Sequence, residues 1–398
     1  MQINTYTDNS NIFLYGHYRV GSKIFYNRIE ALMHQIETKS PVTFHVFNDI
    51  LDSVDVTVEP DEQIETLYAR RAIELRNSYD YLILHFSGGR DSLKIAEIFI
   101  DNGLVIDEFL INVRYDRQRR EQYMNISDPD SIEIEEQSIP LANLIKENHW
   151  PHLKITVNEQ QNQLIKFLVD NPDWMEKRVH HTTDPNCILR SDFDRFNTDW
   201  QKMAHRGVKI GHLIGKEKPF LTRDETGFFI YYDDRDQSDW IVPRGLDWDP
   251  SLPQYKELFF SHPSTIRMQL KQSHMIRKVW DLYPVLSVYD RYTDSRGFGR
   301  AVEDTLADII YGPSKFPQFS IFPKTNDIDI GKKSKLWKTH SKWFLDNLSE
   351  APVRAWFKGM DSIYDRLRPL YKSKIDFYRG GVPGFNTKKY YIHYHEKA

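Results

Sequence analysis

The sequence predicts an α/β protein built on a doubly wound, mostly parallel sheet. Short apolar runs typical of buried strands alternate with amphipathic runs typical of helices between residues 62 and 235. Strands that are separated by helices pair in parallel. The first strand also ends in a glycine pair that leads directly into a helix. The chain has 398 residues, which is enough for two or three packed units.

The predicted elements follow one another in a regular order. Four strands of the sheet are predicted at Tyr81–Phe86, Ile106–Val113, Leu153–Val157 and Val208–Ile214, and a further strand or edge hairpin at Phe228–Tyr232. Helices are predicted before the first strand, directly after it and after the third strand, at Glu62–Ser78, Leu93–Asn102 and Gln160–Val169. The alternation predicts right-handed crossovers between parallel strands.

We predict three parts along the chain: a small N-terminal α/β unit at residues 1–60, a central domain at 61–238 and an α-rich accessory region at 239–398. The N-terminal unit is expected to contain a strand, a helix and a strand, at Ile12–Tyr15, Lys23–Gln35 and Val42–Phe47. Trp240–Pro253 is rich in Trp, Pro, Asp and Gly, which favours a linker. The helices of the last part are predicted at Pro263–Leu282, Arg300–Ile310, Lys335–Leu348 and Val353–Tyr371.

The composition excludes several classes of protein. No apolar run reaches the roughly 18–20 residues that cross a bilayer, and the N-terminus has no basic-then-apolar signal pattern, so a cytoplasmic protein without membrane contact is expected. The single cysteine, Cys187, excludes an intrachain disulfide and a multi-cysteine metal site. A net charge of −4 argues against polyanion binding by the whole protein but permits a local basic patch.

The segment at residues 87–92, SGGRDS, is the strongest functional signal. It lies between a predicted strand and a predicted helix, where the free N–H groups and positive dipole end of a helix attract anions. Gly88 and Gly89 allow a phosphate to approach the backbone closely, and the two serines add hydroxyl donors. The chain has neither the GxxxxGK[ST] nor the GxGxxG pattern, which disfavours a P-loop kinase and a nicotinamide enzyme.

This hexapeptide resembles the SGGxDS signature of the PP-loop ATP pyrophosphatases, a superfamily that includes amidotransferase synthetase domains and phosphoadenosine-phosphosulfate reductases. The resemblance implies an adenine nucleotide alpha hydrolase-like fold, with ATP and Mg²⁺ bound at the loop. The implied nucleotide ligands are Ser87, Gly88, Gly89, Arg90, Asp91 and Ser92. Asp91 would either cap the helix or, as we prefer, hold Mg²⁺ and take part in catalysis.

Loops at the carboxyl ends of the other strands supply further candidates, because ligands of open parallel sheets bind there. Lys216 and Lys218 follow the fourth strand and could neutralise charge on the α-phosphate and the leaving pyrophosphate; alternatively they form a solvated turn. Asp116 or Asp107 could hold Mg²⁺, and Asp233 with Asp234 could bind metal or solvate a hairpin. Candidate substrate-binding cations are Arg114, Arg190 and Arg195.

The C-terminal region interleaves cations with aromatic residues. This pattern could contact RNA or DNA by stacking and charge, or could be the ordinary basic face of a helix. The cations concerned are Lys332, Lys333, Lys335, Lys338, Lys342, Arg379, Lys388 and Lys389. The substrate is accordingly expected to be a small molecule or a nucleic acid.

Three functions are compatible with these patterns. The resemblance implies an ATP-dependent enzyme that forms AMP and pyrophosphate, adenylating a substrate oxygen that a nitrogen nucleophile then displaces. The first alternative is a sulfonucleotide-reductase-like or sulfur-transfer enzyme, although reductases of that branch use a cysteine near the C-terminus and Cys187 is the only thiol. The second alternative is a non-catalytic module that binds nucleotide or associates with nucleic acid.

Overall fold

The computed structural model describes residues 16–113, 134–159, 169–170, 198–215, 219–234, 252–283, 308–316, 350–380 and 382–395. Within this part of the chain, the N-terminal strands β1 (His17–Val20), β2 (Lys23–Phe25) and β3 (Val42–His45) form an antiparallel sheet in the order β2-β1-β3. Two helices accompany this sheet, α1 (Arg28–Thr38) and α2 (Asn48–Ser53).

A five-stranded parallel sheet forms the centre of the fold. Its strands are β4 (Tyr81–His85), β5 (Glu108–Val113), β6 (Lys154–Glu159), β7 (Ile210–Ile214) and β10 (Gln254–Leu258). Their spatial order is β10-β7-β4-β5-β6, and every pair is parallel. The predicted α/β class with a parallel sheet is therefore confirmed. The strand order reverses direction between β4 and β7, which makes the gap between these two strands a topological switch point.

Helices cover both faces of the sheet, which explains why its central strands β4, β5 and β7 are largely buried. The remaining helices are α3 (Ile64–Ser78), α4 (Arg90–Asp101), α5 (Ile139–Asn148), α6 (Thr198–His205), α7 (Ile266–Leu282), α8 (Glu350–Leu367) and α9 (Lys374–Gly380). On one face, Ile83 and Leu110 pack with Trp200 of α6. On the other face, Leu82 and Leu84 belong to the larger core that α3, α4 and α5 complete.

A third sheet joins the middle of the chain to its C-terminal part. Strands β8 (Phe220–Arg223), β9 (Gly227–Tyr231) and β11 (Tyr390–Tyr394) pair antiparallel in the order β11-β9-β8. The predicted strand at Phe228–Tyr232 is thus the centre of this small sheet. Two strands, β10 and β11, lie within the region that the sequence predicts to be α-rich.

One local prediction needs correction. The helix predicted to begin at Lys23 begins at Arg28, because Asn27 caps it by accepting hydrogen bonds from the N–H groups of Ile29 (2.8 Å) and Glu30 (3.3 Å), while residues 23–25 form β2. The strand predicted at Ile12–Tyr15 and the helix predicted at Lys335–Leu348 lie outside the described residues, as do most of those predicted at Gln160–Val169 and Arg300–Ile310.

Candidate functional site

The SGGRDS segment lies at the switch point of the central sheet. It follows β4, and Gly215 follows the neighbouring strand β7 at the same edge. The two loops are in close contact: a Cβ atom added to Gly215 would lie 3.0 Å from the carbonyl carbon of Asp91 and 3.1 Å from the backbone nitrogen of Ser92. The crevice beyond the carboxyl ends of these strands is where open α/β sheets bind ligands.

Gly88 has a conformation that a side chain would disturb. Its φ of +70° lies in the left-handed region, which residues with a Cβ rarely adopt. A Cβ at this position would also lie 2.8 Å from Oγ and 3.0 Å from Cα of Ser138. Glycine is therefore required here both by the backbone turn and by the close approach of a second segment.

That second segment is a short π-helix, Ile134–Ser138, whose last two side chains form hydrogen bonds with the backbone of the loop. Ser138 Oγ donates a hydrogen bond to the carbonyl oxygen of Ser87 (2.5 Å), and Gln137 Nε2 donates one to the carbonyl oxygen of Gly88 (2.7 Å). Two carbonyl oxygens that would repel an anion are thereby engaged by protein donors. π-helical turns occur frequently at functional sites.

Helix α4 begins immediately after the loop. Its N-cap is Gly89, and no side chain caps the first turn. The first N–H groups of a helix have no acceptor within the helix, and they carry the positive end of its dipole. The start of α4 thus combines backbone donors, a positive dipole end and a glycine-rich approach, which is the arrangement that binds phosphate groups.

The two serines of the signature form hydrogen bonds within the loop. Ser92 is buried; its Oγ donates to the carbonyl oxygen of Gly89 (3.1 Å) and lies 3.3 Å from Ser87 Oγ. The backbone N–H of Gly89 donates to Ser87 Oγ (3.3 Å), and Ser87 itself is exposed. Ser87 therefore has its side chain at the surface of the loop, whereas Ser92 stabilises the turn from inside.

The charged side chains of the signature are bound by a distant part of the chain. Tyr311 donates a hydrogen bond to Asp91 Oδ1 (2.6 Å), and Asp308 forms an ion pair with Arg90. The sequence patterns give no sign of these partners, which lie more than 200 residues away. Gln137 and Ser138 were missed in the same way, because no strand or glycine pattern marks residues 134–138.

A chain of polar side chains crosses the sheet beneath this loop. His85 of β4 lies 3.5 Å (Nε2 to Nδ1) from His212 of β7, and His212 Nε2 lies 3.3 Å from Gln254 Oε1 of β10. Burial lowers the pKa of His212 to about 3, so this imidazole is neutral at physiological pH. The hydrogen-bonded chain connects the three neighbouring strands β4, β7 and β10.

Several predicted site residues lie outside the described part of the chain: Lys216, Lys218, Arg114, Asp116, Arg190 and Arg195. One alternative for a metal ligand, Asp107, has protein partners away from the loop. Asp107 precedes β5, at the amino end of the sheet, where it accepts hydrogen bonds from Arg76 Nη1 and from the N–H of Leu82 (both 2.7 Å). Among the described residues, no three His, Cys, Asp or Glu side chains are grouped to hold a metal ion.

Asp234, the second residue of the acidic pair after β9, faces the interior and not solvent. Asp234 is fully buried, and its Oδ2 lies 2.9 Å from Nε of the equally buried Arg28. Tyr18 also donates to Oδ2 (3.0 Å), and the N–H of Phe385 donates to Oδ1 (2.9 Å). Burial raises the pKa of Asp234 to about 6, although the neighbouring Arg28 opposes this shift. This carboxylate joins separate parts of the chain and has a structural role.

Two of the predicted C-terminal cations, Lys388 and Lys389, are paired with acids. Lys388 Nζ lies 2.5 Å from Asp52, and Lys389 Nζ lies 2.7 Å from Asp224. Their charges are locally compensated, which weakens this face as a nucleic-acid contact. In the described ranges, no helix is both long enough and apolar enough to cross a bilayer.

Comparison with models of known protein families finds no match, and neither the curated proteins nor the solved structures include one with significant similarity to this chain. The loop geometry and the order of the strands are therefore the features that bear on function. Both belong to residues 81–92 and their neighbours in the sheet.

Proposed function

We propose that this protein is an ATP-dependent enzyme of the PP-loop type, with a doubly wound, adenine nucleotide alpha hydrolase-like domain that releases AMP and pyrophosphate. The observation that carries the proposal is the placement of SGGRDS between β4 and α4 at the switch point of the parallel sheet, with Gly88 at a φ of +70°. Sequence signature and fold position agree on the same loop, and each is independently associated with nucleotide binding.

The residues at this loop fit a triphosphate. The uncapped first turn of α4 supplies backbone donors, Ser87 supplies an exposed hydroxyl, and Gln137 and Ser138 engage two carbonyl oxygens of the loop. Asp91 is the carboxylate nearest these donors along the chain. Since protein-bound Mg²⁺ commonly takes one or two carboxylates together with substrate phosphates, Asp91 would hold the magnesium that accompanies the nucleotide and neutralises its charge.

The proposed reaction has two balanced steps. An oxygen of the substrate attacks the α-phosphorus of ATP, and the bond from that phosphorus to the bridging oxygen breaks, so that pyrophosphate leaves with the electron pair. A nitrogen nucleophile then attacks the activated carbon, and the carbon–oxygen bond breaks to release AMP. The task of the protein is to align the first attack and to stabilise the charge that develops.

Lys216 and Lys218 are proposed to stabilise that charge. They follow Gly215, the residue whose Cα lies against the first turn of α4. Gly215, the last described residue before these lysines, therefore lies directly beside the proposed phosphate site. A cation entering from this side would act on the α-phosphate or the leaving pyrophosphate.

Calorimetry and a turnover assay test the proposal. Titration of the full chain with ATP in the presence of Mg²⁺ should give saturable heat, and Ser87→Ala should weaken this binding about tenfold by removing a hydroxyl donor to a charged group. Incubation of the chain with ATP, Mg²⁺ and the small-molecule fraction of a cell extract should release pyrophosphate and AMP. A chain that binds no adenine nucleotide under these conditions would refute the proposal.

The same assay separates the alternatives. Turnover that is lost in Cys187→Ser would support the sulfur-transfer alternative, whereas a nitrogen-transfer enzyme has no need of this thiol. Saturable ATP binding without pyrophosphate release from any substrate pool would instead indicate a non-catalytic nucleotide-binding module.

A further inference from the structure

The segment at residues 308–316 lies along α4, the helix that begins the proposed phosphate site. Four of its residues contact four charged residues of this helix, over three turns. The pairs are Asp308 with Arg90, Tyr311 with Asp91, Ser314 with Glu97, and Lys315 with Asp101. The contact to Glu97 is buried and double, because Ser314 Oγ (2.8 Å) and the N–H of Lys315 (2.7 Å) both donate to Glu97 Oε1.

Tyr311 has a fixed position in this segment. Its side chain is only 5% exposed, and its ring packs at 5.3 Å between centroids against Phe260 and at 6.4 Å against Tyr68. Tyr68 also anchors the backbone of the segment by donating a hydrogen bond to the carbonyl oxygen of Ile310 (2.8 Å). The Tyr311 phenol that contacts Asp91 therefore has its position fixed by packing in the core, unlike the end of an exposed side chain.

We propose that Tyr311 is a positioning residue that orients the Asp91 carboxylate for the magnesium of a bound nucleotide. The inference rests on the proposed function. A hydrogen bond of 2.6 Å from Tyr311 to Oδ1 fixes the rotation of the Asp91 carboxylate. The direction in which its oxygen atoms can face a metal ion is thereby fixed as well. Mg²⁺ demands nearly ideal octahedral geometry, so a carboxylate with a fixed orientation binds it better than a freely rotating one. A tyrosine far along the chain thereby becomes part of the nucleotide site.

The test compares nucleotide binding with and without magnesium. Tyr311→Phe removes the hydroxyl and keeps the ring packing. By calorimetry we expect Tyr311→Phe to weaken binding of ATP with Mg²⁺ about five- to tenfold, the scale of a lost hydrogen bond to a charged group, and to leave binding of ATP with EDTA unchanged. The matched control is Ser314→Ala, which removes a contact between the same segment and the same helix at Glu97. It should change neither affinity.

A double-variant cycle isolates the effect on Asp91. In Asp91→Asn the charge for magnesium is gone, so adding Tyr311→Phe should change the magnesium-dependent affinity no further. If the unaltered chain binds ATP with Mg²⁺ and Tyr311→Phe binds it equally well, the positioning role is overturned and the proposed function stands. If the unaltered chain binds no ATP, the proposed function fails first.

A second measurement covers the case in which Tyr311→Phe fails to fold. A fluorotyrosine introduced at position 311 alone retains the phenol and reports on its environment by fluorine NMR. Its resonance should shift when Mg²⁺ is added to the ATP-bound chain and should not shift in Asp91→Asn. An unchanged resonance in both would overturn the proposal.

Discussion

The most constrained single residue of the site is Gly88. Replacing it with alanine forces a Cβ into a left-handed conformation, which costs about 1–2 kcal/mol, and drives it to 2.8 Å from Ser138 Oγ. The added contact costs a further 1–3 kcal/mol or so, as overpacking in a filled space does. We therefore expect Gly88→Ala to lower the free energy of unfolding by roughly 2–5 kcal/mol, measured by chemical denaturation.

Gly103 provides the matched control. Its φ of +64° is nearly the same, but an added Cβ would meet no atom within 4 Å. Gly103→Ala should therefore show only the conformational part, about 1–2 kcal/mol. Equal losses in the two variants would mean that the approach of Ser138 does not constrain the loop.

At this scale the sequence predicts only what is local. The signature residues are contiguous and follow a recognisable strand, so SGGRDS is found by its order alone. Gln137, Ser138 and Tyr311 are ordinary residues in ordinary contexts, and they acquire roles only because the fold brings them to the loop. The preference for Asp91 as a metal ligand over a helix cap stays a prediction.

At the scale of elements, the apolar strands were predictable and the polar edge strand β10 was not. The strands β4, β5 and β7 are buried on both faces and appear in the sequence as apolar runs. In contrast, β10 pairs with β7 alone among the strands that the structure describes, and its sequence QYKEL contains one aliphatic residue. An edge strand needs no continuous apolar pattern, so Gln254–Leu258, directly after the predicted linker, was not predicted as a strand.

The polar contact across these strands makes a prediction about pH. His212 on β7 is fully buried between His85 and Gln254, and burial lowers its pKa to about 3, against about 6.5 in an unfolded chain. Between these two pH values His212 binds a proton in the unfolded chain but not in the folded chain. Stability is therefore retained above pH 6.5 and lost as the pH falls toward 3.

We expect the free energy of unfolding to fall by about 1.4 kcal/mol per pH unit below pH 6 because of His212 alone. The variant His212→Gln keeps a hydrogen-bonding side chain and cannot take up this proton. The difference in stability between the two chains, measured by denaturation from pH 7 to pH 4.5, isolates His212, since all other titrating groups are common to both. A difference that does not vary with pH would contradict the buried, neutral imidazole.

At the scale of the whole molecule, one buried ion pair connects remote parts of the chain. Arg28 and Tyr18 belong to the N-terminal unit, Asp234 follows β9, and the backbone of Phe385 completes the contact from the C-terminal part. The predicted division into 1–60, 61–238 and 239–398 is a division of sequence patterns. The contacts of Asp234 with Arg28, Tyr18 and Phe385 connect all three of these parts. The composition of the chain carries no information about such contacts.

Removing one partner of this ion pair should strongly lower the free energy of unfolding. Arg28→Met removes the cation and leaves Asp234 buried without its charge partner, which typically costs about 3–5 kcal/mol. Adding Asp234→Asn removes the stranded charge and should recover a large part of the loss. Lys374 and Asp361 form a matched pair near the surface, 2.7 Å apart with both side chains 39–46% exposed, so Lys374→Met should cost less than about 1 kcal/mol.

Chemical denaturation of these variants decides how the N-terminal unit is attached. A large loss in Arg28→Met that is reversed by Asp234→Asn means that the stranded carboxylate, and not the lost packing of the arginine stem, accounts for the destabilisation. A loss no greater than that of Lys374→Met would mean that apolar contacts alone hold the unit, such as those of Tyr18 with Phe44 and Phe385. In the first case the buried charge pair also fixes the position of the chain after β9, because Asp234 can be neutralised only where Arg28 reaches it.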